Sequence, residues 1–147
     1  LIGSSALTSD LHATRSGVDI PLTLYYACAL GLLLIILSYN VIHHRVKGLL
    51  QTFGKDNPVT ERIVRVHGNF TEYVPTGLAL LLTIEWAGAP AMVIHTAGGI
   101  FTLGRYLHAW GYTASDGPHP GRMFGIQLTL LALSFMVIAA VYYLFII

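Results

Sequence analysis

The sequence predicts an all-α protein, an integral membrane bundle of four helices in up-down order. Three observations predict it. The 147 residues are 54% hydrophobic and 10% charged, with a mean hydropathy of +0.66, whereas soluble domains carry about a quarter charged residues. Four long stretches each approach the roughly 20 apolar residues that cross a bilayer core of about 30 Å. Glycine, proline and asparagine breakers separate those stretches.

Residues 1–20 read as a polar N-terminal tail, and residues 21–147 as the membrane domain. The tail is rich in Gly, Ser and Thr and is expected to be weakly ordered. It does not read as a signal peptide, because its charges precede no short apolar run with a cleavage site. The first span covers about 21–47: Pro21 suits a helix start, Leu22 to Ile42 is almost purely apolar, and His43, His44, Arg45 and Lys47 close it. Gly54, Asn57 and Pro58 break the connection that follows. The second span covers about 61–86 and is polar in its first half. Gly88-Ala89-Pro90 makes a tight turn into a third span over about 91–112. The stretch from Thr113 to Gly121 is a loop, and the fourth span covers about 122–147.

Charge sets the orientation. Arg45, Lys47, Lys55, Arg62, Arg65 and Arg122 flank the two longer loops, against Arg15 alone on the other side. The positive-inside rule therefore places both loops in the cytoplasm and both termini outside.

Several function classes drop out. A net charge of +1 with no basic cluster gives nucleic acid nothing to hold. Cys28 is the sole cysteine, lies in an apolar run and reads as a small packing residue. No zinc-ligand spacing, P-loop or Ser-His-Asp set is present, and no metal is expected. His43 and His44 read as an interfacial pair, and His95 as a hydrogen-bonded packing residue. Gly98, Gly99 and Gly104 read as close-packing positions. Trp86, Tyr106, Tyr142 and Tyr143 fit interfacial or packing roles.

The chemistry lies in the second and third spans. At 100° per residue, Arg62, Arg65, Asn69, Glu72, Tyr73 and Thr76 share an arc of roughly 100°, and His67 points to the far side. Arg105, His108 and Tyr112 follow at i, i+3 and i+7 on one face of the third span, with Trp110 facing elsewhere. At 1.5 Å per residue, Glu72 lies about 16 Å along its helix from Glu61, and Arg105 about 10 Å from Tyr112. Both then sit inside the hydrocarbon, where a lone charge costs at least about 2.5–3.5 kcal/mol and must face protein. Glu72 is expected to pair with Arg105 or another arginine of the cluster, in the same or a neighbouring subunit. The arginines outnumber Glu61 and Glu72, so the excess guanidinium groups with Asn and Tyr donors suit a small anionic ligand, most naturally carboxylates held bidentately.

The run Glu61-Arg62-x-x-Arg65-Val66-His67-x-Asn69-x-x-Glu72-Tyr73-x-Pro75 resembles the signature of the MAPEG superfamily, membrane-associated proteins in eicosanoid and glutathione metabolism. Arg105-x-x-His108-x-x-Gly111-Tyr112, a proline-containing loop and Arg122 fall where that family has its second block, so the resemblance covers residues 21–147. It implies a homotrimer of four-helix subunits, with glutathione as co-substrate bound between neighbours near the cytoplasmic face. Carried over by position, Arg65, Asn69, Glu72 and Tyr73 would hold glutathione, and His108 and Tyr112 would line the same pocket. Arg122 would stabilise the thiolate as the catalytic residue, and Arg45 stands where some members place a further functional arginine. Gly68, Met123 and His108 depart from eicosanoid-synthesising members and argue against such a substrate.

The expected function is a membrane glutathione transferase, with possible peroxidase activity, acting on lipophilic electrophiles or lipid hydroperoxides. The alternative is a non-enzymatic lipid- or ligand-binding protein resembling the lipoxygenase-activating branch. A bacterial inner membrane fits the short, loop-poor chain better than the endoplasmic reticulum.

Overall fold

The computed structural model describes residues 20–51, 58–115 and 117–146, with side chains to Lys47 in the first stretch. The polar tail, Lys55 and the breakers Gly54 and Asn57 lie outside the described residues. Four helices make up the fold: α1 Thr23–Gln51, α2 Pro58–Trp86, α3 Ala91–Ala114 and α4 Pro120–Ile146. No strand occurs among the described residues.

Helix limits follow local chemistry. Both α2 and α4 begin on a proline, whose missing N–H costs nothing in a first turn. Their starts therefore precede the apolar runs, at Pro58 and Pro120 rather than near 61 and 122. Helix α1 runs past Lys47 and through Gly48 to Gln51, since a single glycine weakens a helix without ending it. At the end of α2, Gly88 adopts a φ of 90°. Its N–H donates to Glu85 O at 3.0 Å, and Ala89 N–H reaches back to Ile84 O at 3.0 Å. That pair of bonds is a Schellman motif, which uses a left-handed glycine to satisfy the last carbonyls.

Glu85 joins α2 to α1. Its carboxylate accepts the backbone N–H of Leu22, and that of Thr23 at 2.8 Å. Those N–H groups have no partner inside α1, so a carboxylate from a neighbouring helix replaces a local cap.

Packing is densest between α3 and α4, while α1 rests on α2 and α3 and makes no contact with α4 among the described residues. Leu30, Leu33 and Leu37 of α1 meet Val66, Phe70 and Leu81 of α2 and Ile94, Ala97 and Phe101 of α3. Glycine permits the closest approaches. A Cβ at Gly125 would stand 2.4 Å from His108 N, and one at Gly111 would stand 2.4 Å from Arg122 N. The α3–α4 seam is thus backbone against backbone, the small-residue packing of helices in lipid.

The exterior is apolar. Leu32, Ile35, Ile42, Leu131, Ile138 and Leu144 are all exposed. Thr23–Lys47 and Pro120–Ile146 are long and apolar enough to cross a membrane by length and composition. Helices α2, with Glu61, Arg62, Arg65, Glu72 and Glu85, and α3, with Arg105 and two histidines, fall outside that class.

Candidate functional site

The glycine seam decides where the polar groups of α3 and α4 meet. With Gly125 against the backbone of His108 and Gly111 against that of Arg122, the start of α4 lies directly on the last two turns of α3. His108 is buried, and its Nδ1 lies 3.1 Å from the carbonyl oxygen of Arg122. That contact requires the Nδ1 proton, which leaves Nε2 of a neutral ring as an acceptor. Nε2 is itself buried and has no hydrogen-bond partner among the described residues.

Tyr112 stands one turn further along α3, its ring 5.0 Å from that of His108. The Arg122 guanidinium lies over the Tyr112 ring at 3.8 Å, well within cation–π range. Its Nη1 donates to Gly117 O at 3.2 Å. His108, Tyr112, Gly117, His119, Arg122 and Met123 line an open cavity of about 520 Å³. His108, Tyr112 and Arg122 are therefore brought together within one chain.

Arg105, one turn before His108, is fully buried. Its Nη2 donates to Asn69 Oδ1 at 2.9 Å, and the guanidinium lies 5.5 Å from the centre of the Tyr73 ring and 5.8 Å from that of Phe70. Nε and Nη1 have no partner among the described residues. The helical register brings Asn69, Phe70 and Tyr73 onto the side of α2 that meets α3, so two ring faces and one amide oxygen surround a buried cation.

The expected ion pair of Glu72 with Arg105 does not form within the chain. Asn69 takes the guanidinium instead, and Glu72 is exposed. Arg65 is exposed as well and pairs with Glu61 at 2.9 Å, one turn back on the same helix. The arc read from the sequence is wide enough to wrap around α2. Asn69 and Tyr73 occupy its inner edge, while Arg65, Glu72 and Thr76 occupy its outer edge. Arg62 is half-buried two turns before Asn69, where with Asn40, His44 and Thr113 it lines a smaller cavity between α1, α2 and α3.

His67 does face away from this cluster, bonding Ser38 Oγ on α1 through Nε2 at 3.0 Å. His95 bonds the Tyr26 hydroxyl at 2.8 Å. His43 stacks on Tyr39 and meets His44 edge-on, and Arg45 is exposed beside them. Gly98 and Gly104 are close-packing positions, but a Cβ at Gly99 would meet nothing within 4 Å. No cluster of three or more metal-ligating side chains occurs among the described residues.

Three contributors escaped the sequence reading. Phe70 gives the second ring face to Arg105, which its place beside Asn69 could have suggested. Gly117 supplies only a carbonyl, and no side-chain pattern announces that. The Trp110 ring meets the His119 ring edge-on at 4.8 Å, and His119 precedes a proline where a helix cap belongs.

Residues 23–142, from the first residue of α1 to the last turn of α4, match the MAPEG family. Inner membrane protein YecN of Escherichia coli strain K12 is 30% identical over 118 residues, covering 80% of this chain and 88% of that protein. Inner membrane protein YecN of Escherichia coli O6:H1 gives the same identity and coverage. On both the extent of the family match and the likeness to these bacterial proteins, the chain belongs to the MAPEG family.

Proposed function

We propose that the protein is a membrane glutathione transferase that activates the glutathione thiol against lipophilic electrophiles or lipid hydroperoxides. Arg105 carries this reading. A fully buried guanidinium held by one amide and two ring faces has, among the described residues, no carboxylate beside it and two nitrogens without a partner. Such a group is costly unless an anion completes it. Glutathione brings two carboxylates, an ammonium and a thiol, which several arginines and one carboxylate complement.

Arg122 is the catalytic group in this reading. A thiol with pKa near 8.5 is mostly protonated at neutral pH, and an adjacent guanidinium favours the thiolate. The sulfur lone pair then forms a bond to the electrophilic carbon, and the leaving group departs with the bonding pair. With a hydroperoxide, the sulfur instead takes the terminal oxygen and the lipid leaves as an alcohol. His108 and Tyr112 hold Arg122 at the cavity and line the space the sulfur would enter.

Arg65 and Glu72 complete the pocket from a neighbouring subunit. Both are exposed on the single chain, and a charge left facing hydrocarbon is expensive. Covering them with another copy supports a homotrimer with glutathione between subunits. All four helices cross the membrane in up-down order, with Arg122 toward the cytoplasm. The name of the Escherichia coli relative supports a bacterial inner membrane.

Titration of the purified protein with glutathione tests the reading. The ultraviolet absorbance of a bound thiolate should appear in the wild type and vanish in Arg122→Ala while glutathione still binds. Glutathione bound by the wild type without thiolate would instead favour a non-enzymatic binding protein. The exposed Met123 beside Arg122 suits that second reading, since it offers the sulfur no hydroxyl.

A further inference from the structure

We propose that His119 is a positioning residue for Arg122, acting through the start of α4. The inference rests on the reading of Arg122 as the thiolate-stabilising group. His119 immediately precedes Pro120, the first residue of α4. Its Nδ1 accepts the backbone N–H of Gly121 at 3.1 Å, and its carbonyl accepts those of Arg122 at 3.0 Å and Met123 at 3.3 Å. Three successive N–H groups of the first turn therefore end on one residue. With proline next to it, no other N–H of that turn needs a partner.

The imidazole is held from the other side as well. The Trp110 ring meets it edge-on at 4.8 Å, and a Cβ at Gly121 would stand 2.9 Å from Trp110 Cε3 and 3.1 Å from His119 Nδ1. The cap is thus wedged between α3 and the backbone of α4. Arg122 leaves the chain within this wedge and reaches back to Gly117 O and the Tyr112 ring. Accepting at Nδ1 places the proton of a neutral His119 on Nε2, so the ring can hold Gly121 without competing for the guanidinium. Freeing the first turn of α4 would let the Arg122 backbone shift while leaving Asn69, Tyr73 and Arg105 in place.

His119→Ala removes the acceptor, whereas His119→Asn restores one of the side chains that cap helices best. Backbone hydrogen exchange and glutathione thiolate absorbance, measured on intact protein in detergent, test the role. In His119→Ala, amide exchange over residues 121–123 should rise about fivefold, the size expected for a lost cap. The pH at which bound glutathione is half thiolate should rise by about half a unit, about a threefold change in the ionisation constant, with affinity changed less than twofold. His119→Asn should return both to near wild type. If His119→Ala fails to fold, Trp110→Leu, which keeps the cap but removes its support, should move both readouts in the same direction.

Unchanged exchange over 121–123 overturns the inference whatever glutathione does. Faster exchange with unchanged thiolate overturns it too, and leaves the reading of Arg122 standing. A wild type that binds glutathione without forming thiolate removes that reading and the inference together.

Discussion

The guanidinium of Arg122 lies 3.8 Å over the ring of Tyr112, and one of its nitrogens is tied to the carbonyl of Gly117. A cation held by a ring face keeps N–H groups directed sideways, where a sulfur anion can approach them. Tyr112→Leu should therefore keep glutathione affinity but lower the rate of conjugation. A cation–π contact of about 0.5–2 kcal/mol translates to a loss of roughly 2- to 30-fold. Tyr112→Phe, which keeps the ring, should stay close to wild type. Equal rates in the leucine and phenylalanine variants would show that the ring face is irrelevant.

Arg105 gives a prediction with two opposed signs. Arg105→Met replaces a buried cation by an apolar chain of similar length, and such exchanges are often neutral or stabilising by about 1–4 kcal/mol. Thermal unfolding without glutathione should thus occur at an unchanged or higher temperature, while glutathione binding weakens at least tenfold. A variant that unfolds earlier and binds normally would assign Arg105 a structural task alone.

Asn69→Leu should act oppositely on stability. It strands the buried guanidinium without its amide partner. Loss of a hydrogen bond to a charged group costs about 1.5–3 kcal/mol. Denaturation in detergent should show this destabilisation, and Asn69→Leu combined with Arg105→Met should recover most of it. No recovery in the double variant would mean the two side chains act independently.

Gly125→Ala places a methyl 2.4 Å from the backbone nitrogen of His108. Backbone cannot swing aside as a side chain can, so the helices must separate. Overpacking of this kind costs about 1–3 kcal/mol. The thiolate signal should fall in the same variant, because the seam also sets where Arg122 stands. A variant with wild-type unfolding and thiolate would refute the close approach.

Glu85→Gln keeps the shape of the side chain but turns one of two acceptor atoms into a donor facing an N–H group. Leu22 and Thr23 then compete for a single oxygen. A loss of about 1–2 kcal/mol is expected, in line with a removed helix cap. Proteolysis near residues 20–25 should accelerate in parallel. Unaltered cleavage there would show that α1 does not depend on this carboxylate.

The helices and most of the inward-facing chemistry could be read from residue order. Apolar runs and breakers announce four helices, and a spacing of three and seven residues puts Arg105, His108 and Tyr112 on one face. The same angular reasoning turned His67 away, where it bonds Ser38. Periodicity failed at the edges of the arc on α2. It assigns an angle around one helix but not which part of that angle a neighbouring helix covers. So Arg65 and Glu72 shared a stripe with Asn69 and yet stand outside the single chain. Charge matching also misled, because a buried arginine can be held by an amide and two rings as well as by a carboxylate. Glu85 was overlooked for a related reason, since its partners are backbone groups 62 and 63 residues away.

The backbone contact between α3 and α4 has a consequence for life in a bilayer. Where long side chains separate two helices, their spacing can drift as rotamers change. Here main-chain atoms meet, and the gap is bounded by atomic radii that temperature and lipid composition leave unaltered. A thicker or thinner membrane can tilt the bundle or rearrange its greasy exterior, each adjustment costing only fractions of a kcal/mol per Å of mismatch. The distance between imidazole and guanidinium is insulated from those adjustments, so this polar cluster behaves as a fixed gauge carried within a compliant shell.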